Sequence, residues 1–153
     1  FLYDSSIFPI RHDLYGFPGS PRFPYRLRFG SNQTLVEIPM STVDVGGMTC
    51  PTGGGGYLRL LPMPYTRWSI RRLHRKEHQP LVLYFHPWEL DPEQPRIAGT
   101  WKSRFRHYRG LGRMEYRLRE LLQHGHFQPF RDFLSSLPPP EKTQGVDTPS
   151  FTI

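Results

Sequence analysis

Residues 81–86, "LVLYFH", followed by "PWELDPEQP", bring a titratable ring to the end of an apolar run. A run this rich in aliphatic, β-branched and aromatic residues predicts a buried strand, apolar on both faces, as in a parallel sheet covered by helices. Pro87 has no N–H for a ladder and favours extended backbone at the residue before it, so the strand is expected to stop at His86. An imidazole at the carboxyl end of a parallel strand lies on the rim where α/β folds bind ligands and do acid–base chemistry. A histidine there can equally pack and donate one hydrogen bond.

The elements that must position His86 follow from periodicity and punctuation. "TLVEIPM" at 34–40 predicts a short strand ended by Pro39. A helix is expected over 64–75, with Pro64 in its first turn and Trp68, Ile70 and Leu73 as a partial apolar face. A second is expected over 111–123, where Leu111, Met114, Leu118, Leu121 and Leu122 share a face and Gly125 caps the end. Phe127, Phe130, Phe133 and Leu134 suggest one more short helix or turn. Prolines and glycines make 1–33 read as loop, 46–56 as a flexible loop, "GYLRLLP" as a brief strand or turn, and 87–101 as an excursion from the sheet. From Ser135 the chain turns polar and proline-rich and reads as a disordered tail over 135–153.

A chain of 153 residues is long enough for one domain with a real core. Its opening residues lack the charged, apolar, then small-residue order of a leader, and no apolar run approaches the roughly 20 residues of a transmembrane helix. Cys50 is the sole cysteine, which excludes an internal disulfide and a multi-cysteine zinc site. Lys and Arg number 20 against 13 Asp and Glu, and the excess clusters in 59–76 and 102–119. Such clusters attract polyanions, or else form solvated helix faces.

Several motifs resemble sites without the required chemistry. "HRKEH" at 74–78 spaces His74 and His78 one helical turn apart, but the order is not that of a zinc helix and Arg75 and Lys76 oppose a cation. "TGGGG" at 52–56 lacks the Lys-Ser or Lys-Thr that would complete a phosphate loop. "HGH" at 124–126 suits a helix terminus. Asp4, followed by Ser5 and Ser6, can either cap a turn or place an acid beside a catalytic group.

Four blocks in order, "YDSSIFPIRHDLYGFP" at 3–18, "GGGGYLRLLP" at 53–62, "LYFHPWELDPEQPRI" at 83–97 and "SRFRHYRGL" at 103–111, resemble the polysaccharide deacetylases associated with exosortase and exopolysaccharide gene clusters. The resemblance covers most of 1–134 and implies one α/β domain, part of a distorted (β/α) barrel. It implies hydrolysis of acetamide groups on an N-acetylated polysaccharide with a divalent metal, usually zinc. His86 matches the late-strand histidine that protonates the leaving amine, and Asp4 is expected to orient it. Tyr84, two residues earlier on the same side of the strand, is expected to wall the acetyl methyl, and Ser5, Tyr57, Arg59 and Trp88 to contact substrate.

The family's two-aspartate motif and its metal-binding histidine pair normally precede "YDSS". "STVDV" at 41–45 does not replace them, since Gly46 and Gly47 follow it instead of an acid. The chain is therefore expected to be a carboxyl-terminal portion that binds no metal by itself and is partnered by the amino-terminal part of the same domain, with no nucleic acid. The alternative is a non-catalytic basic module that binds acidic polysaccharide or nucleic acid.

Overall fold

The computed structural model describes residues 1–29 and 33–137. Among them the chain is mixed α/β, with two small sheets and no closed barrel. In the first sheet β3 (Gln33–Glu37) is central. It pairs parallel with β1 (Tyr3–Asp4), in register Tyr3↔Val36 and Asp4↔Glu37, and antiparallel with β2 (Tyr25–Phe29). The second sheet is a hairpin of β4 (Thr42–Val45) and β5 (Met48–Pro51). Its two-residue turn needs positive φ at both central positions, supplied by Gly46 at 63° and Gly47 at 83°.

The base of that hairpin ties the sheet to the segment carrying His86. The Ser41 carbonyl accepts the N–H groups of Thr52 (3.0 Å) and Gly53 (3.1 Å), and the Ser41 hydroxyl accepts Val82 N–H at 2.7 Å. Tyr84 N–H then donates to the Gly53 carbonyl (2.8 Å), while Gly55 N–H donates to the Tyr84 carbonyl (2.6 Å), so residues 82–86 run parallel to 53–55. The approach requires glycine: a Cβ on Gly53 would lie 2.0 Å from the Val82 carbonyl oxygen.

Val82 joins Val36, Ile38 and Met40 in one core cluster, against which Phe8, Phe130, Phe133 and Leu134 pack. Leu83 and Phe85, on the opposite side of the same segment, pack on Leu58, Met114 and Leu121. Both sides are thus covered along most of its length, and Tyr84 and His86 emerge into solvent at its end. The pairing is a single bridge rather than a full strand ladder.

The helices are α1 (Gly55–Leu60), α2 (Met63–Arg72), α3 (Trp101–Tyr108), α4 (Leu111–His124) and α5 (Phe130–Ser136). Two buried arginines join them end to end. Arg117 of α4 donates to the carbonyls of Leu58, Arg59 (3.1 Å) and Leu61 (2.7 Å), the orphan acceptors at the carboxyl end of α1. Arg59 of α1 in turn donates to the carbonyls of Arg106 (3.2 Å), His107 (3.1 Å) and Arg109 (2.7 Å) at the carboxyl end of α3. Burial is the main cause lowering the Arg117 pKa, with Arg113 adding to it. Gly110, at φ 78°, turns the chain from α3 into α4, where a Cβ would lie 2.7 Å from the Arg59 carbonyl oxygen.

Local readings that the structure changes have physical causes. "GYLRLLP" begins as α1 rather than a strand, its carboxyl-end carbonyls gathered by the buried Arg117 guanidinium. Loop-like 1–33 contains β1 and β2, and the supposed loop at 46–56 contains β5. Helix α3 arises inside a block with no apolar periodicity, capped by the Thr100 hydroxyl accepting Ser103 N–H at 3.3 Å. Residues 73–77 continue α2 as a π turn ending at His78 in the left-handed region. Ser135 and Ser136 belong to α5 and Leu137 ends it, and the remainder of the expected tail, 138–153, lies outside the described residues.

Candidate active site around His86

The backbone from His86 to Glu89 folds into a 3₁₀ turn (Pro87–Leu90) whose first peptide is locked by the last side chain. Glu89 Oε2 accepts His86 N–H at 2.9 Å, and Glu89 Oε1 accepts Arg59 Nε–H at 2.8 Å. Both partners of the ion pair are buried, 2% and 3% exposed. A buried pair costs desolvation and is tolerated only when its remaining groups are satisfied, which the α3 carbonyls and His86 N–H accomplish. Gly55 makes room for it: a Cβ there would lie 2.2 Å from Glu89 Oε2.

The His86 ring is exposed and meets the Tyr84 hydroxyl, which lies 3.0 Å from Nε2 and 3.2 Å from Nδ1. Its face stacks on Trp88 at 5.4 Å between centroids, and Trp88 stacks on His107 at 4.2 Å. The Arg59 guanidinium lies 5.5 Å from the Trp88 ring centre, and His107 Nε2–H donates to Gln94 Oε1 at 2.8 Å. Gln94 also donates to the Trp88 and Asp91 carbonyls, at 2.8 and 2.9 Å, fixing the loop behind the turn. The result is a ladder of rings, Tyr84, His86, Trp88 and His107, with a solvent-open imidazole on a rigid turn.

Four of the residues expected from sequence, His86, Tyr84, Trp88 and Arg59, come together here. Asp4 and Ser5 do not join them in any described contact. Asp4 Oδ1 accepts Ser5 N–H (2.9 Å) and the Ser6 hydroxyl (2.8 Å), while the Ser5 hydroxyl donates to the Ile38 carbonyl at 2.7 Å. That geometry is turn capping at β1. Tyr57 lies in a separate cluster, its hydroxyl 3.1 Å from that of Tyr15 and its ring edge-on to Phe8. Burial, followed by the Tyr15 hydrogen bond, pushes the Tyr57 phenol far up, so it stays protonated. Arg106 ties the neighbouring loop to α3 through Asp13 at 2.7 Å.

Glu89 is the member that sequence reading missed, although a carboxylate three residues after a turn-starting side chain is a capping-box signal. His107 was hidden in a run of arginines. Among the described residues no group of three or more His, Cys, Asp or Glu side chains is arranged to hold a metal, and the His86 ring meets the Tyr84 phenol and the Trp88 indole. No helix of the described residues is long and apolar enough to cross a membrane.

No curated protein and no solved structure matches the chain. A family model described as a domain of unknown function, DUF3473, matches residues 5–135. A match of that extent places the chain in the DUF3473 family.

Proposed function

We propose that this domain is the acid-bearing part of a carbohydrate de-N-acetylase, with His86 as the proton donor to the leaving sugar amine. The observation that carries the reading is the exposed imidazole, held at the end of a parallel segment by the buried Glu89–Arg59 pair. Breaking an amide requires the departing nitrogen to leave as an amine rather than an amide anion. Histidine is the side chain best suited to hand over that proton near neutral pH. Tyr84, whose hydroxyl reaches the same ring, orients it and forms one wall for the acetyl group. Parallel pairing of β1 with β3, and of Tyr84 with Gly54, supports a partial (β/α) barrel, its remaining strands and catalytic groups coming from another segment of the protein. Asp4 has no part in this scheme, because its carboxylate is engaged in the turn at Ser5 and Ser6.

In this reading the chain contributes the acid and the surface that holds the sugar, and the metal ligands come from another segment of the protein. The test is acetate release from N-acetylated chito-oligosaccharides by the complete reading frame that contains this chain, with zinc supplied. Turnover is expected there and absent from the 153-residue chain alone. His86→Ala is expected to lower it by about 10²- to 10⁴-fold, the usual range for losing a general acid. Unchanged turnover in that variant would overturn the assignment.

A further inference from the structure

Helix α3 has no buried residue, although it carries three large aromatic side chains, two of them exposed. One side is fastened: Arg106 to Asp13, His107 to Trp88 and Gln94, and the terminal carbonyls to Arg59. Along the open side Trp101 is 74% and Phe105 48% exposed, one helical turn apart, with Ile97 71% exposed in the approach to the helix. Cations flank both rings. Lys102 Nζ lies 6.0 Å from the Trp101 ring centre and the Arg109 guanidinium 5.6 Å from that of Phe105. Residues 95–114 hold six cations, Arg96, Lys102, Arg104, Arg106, Arg109 and Arg113, and no Asp or Glu. Exposed rings between cations are a recognition surface rather than a packed helix face.

We propose that this face of α3 binds an anionic polysaccharide, the sugar faces resting on Trp101 and Phe105 and the acidic groups pairing with Lys102, Arg104 and Arg109. The inference rests on the glycan reading of the His86 site and specifies the polymer as acidic. Flat rings stack on the C–H faces of pyranoses, and guanidinium forks match carboxylate geometry. Charge and adjacency favour an acidic glycan over nucleic acid or lipid: residues 95–114 carry cations and no acid, and α3, whose fastened side reaches His86 through His107 and Trp88, adjoins the sugar site. A long chain whose N-acetyl group sits at His86 passes close enough to α3 for its neighbouring residues to meet the helix's open face.

The probe is a hyaluronan oligosaccharide, which alternates uronate with N-acetylated hexosamine, titrated into the 153-residue chain beside neutral chitohexaose, single-stranded DNA and phosphatidylglycerol vesicles. Hyaluronan is expected to bind at least about tenfold more tightly than chitohexaose, and to weaken with salt as cation–anion contacts do. Trp101→Ala and Arg104→Glu, both at exposed positions with unchanged melting expected, should each reduce that binding at least about fivefold. Equal binding of the neutral oligosaccharide, tighter binding of DNA or vesicles, or no effect of either α3 variant would overturn the proposal. Acetate release does not enter this measurement, so selective hyaluronan binding without turnover would sink the catalytic reading alone, and turnover without selectivity would sink this one alone.

Discussion

Glu89 joins the catalytic candidate to the core, and its chemistry makes the joint specific. Each carboxylate oxygen accepts one donor, His86 N–H on one side and Arg59 Nε–H on the other. Glutamine has the same shape but only one accepting oxygen, so Glu89→Gln sets an NH₂ against one of those donors and leaves the Arg59 charge buried without its counter-charge. The expected cost is about 3 kcal/mol, which for a domain of this size lowers Tm by about 10 °C. The variant should also broaden the His86 ring signals in NMR spectra, because the turn that fixes its backbone is released. A melt within a degree or two of wild type would show that the pair does not hold the turn. Sequence alone located His86, because an apolar run ending in a proline marks a strand end. It could not locate Glu89, whose burial depends on an arginine thirty residues earlier and on the missing side chain of Gly55.

At the level of elements, legibility followed the source of each element's stability. Helix α4 was legible because its apolar residues repeat along one face, and even buried Arg117 falls on that face, three residues after Met114. Helices α1 and α3 were not, since one begins with glycines and the other buries nothing, and both are held by arginine contacts to carbonyls far away in sequence. Strand β2 alternates Tyr25, Leu27 and Phe29 with Arg26 and Arg28, a period-two signal obscured by the prolines before it. Pairing β1 with β3 sets Asp4 opposite Glu37, which is 1% exposed and accepts Ile7 N–H at 3.0 Å. Burial raises the Glu37 pKa and the Asp4 charge adds to it, while the Ile7 and Ser6 amides pull the other way. A carboxyl with a raised folded pKa holds its proton more tightly in the folded chain, so its ionisation costs stability as pH rises from the unfolded value through the folded one. Glu37→Gln, which cannot ionise, should therefore gain stability relative to wild type as pH is raised from about 4 to 7, with the difference flat below that window. Parallel melting curves for the two proteins across the range would mean that burial does not perturb this carboxyl.

For the whole molecule, the open question is what covers the outer side of β1. That strand is the edge of its sheet, and Phe1, Leu2 and Tyr3 are 115%, 81% and 38% exposed beside a recess lined by Phe29, Thr34 and Leu35. Backbone groups on a parallel edge strand seek a partner, and apolar side chains on it add to the attraction. In the proposed partial barrel another strand of the same protein would lie there. Supplied without one, two chains can satisfy each other's edges, and the 153-residue chain should self-associate as its concentration rises. Leu2→Lys places a charge on that edge without entering either core cluster, so it should shift sedimentation toward the monomer while leaving the melting temperature within about 2 °C. A wild-type chain that sediments as a single monomer over roughly a hundredfold range of concentration would show the β1 edge to be inert. In that case the barrel reading would lose the surface on which its missing strand must pair.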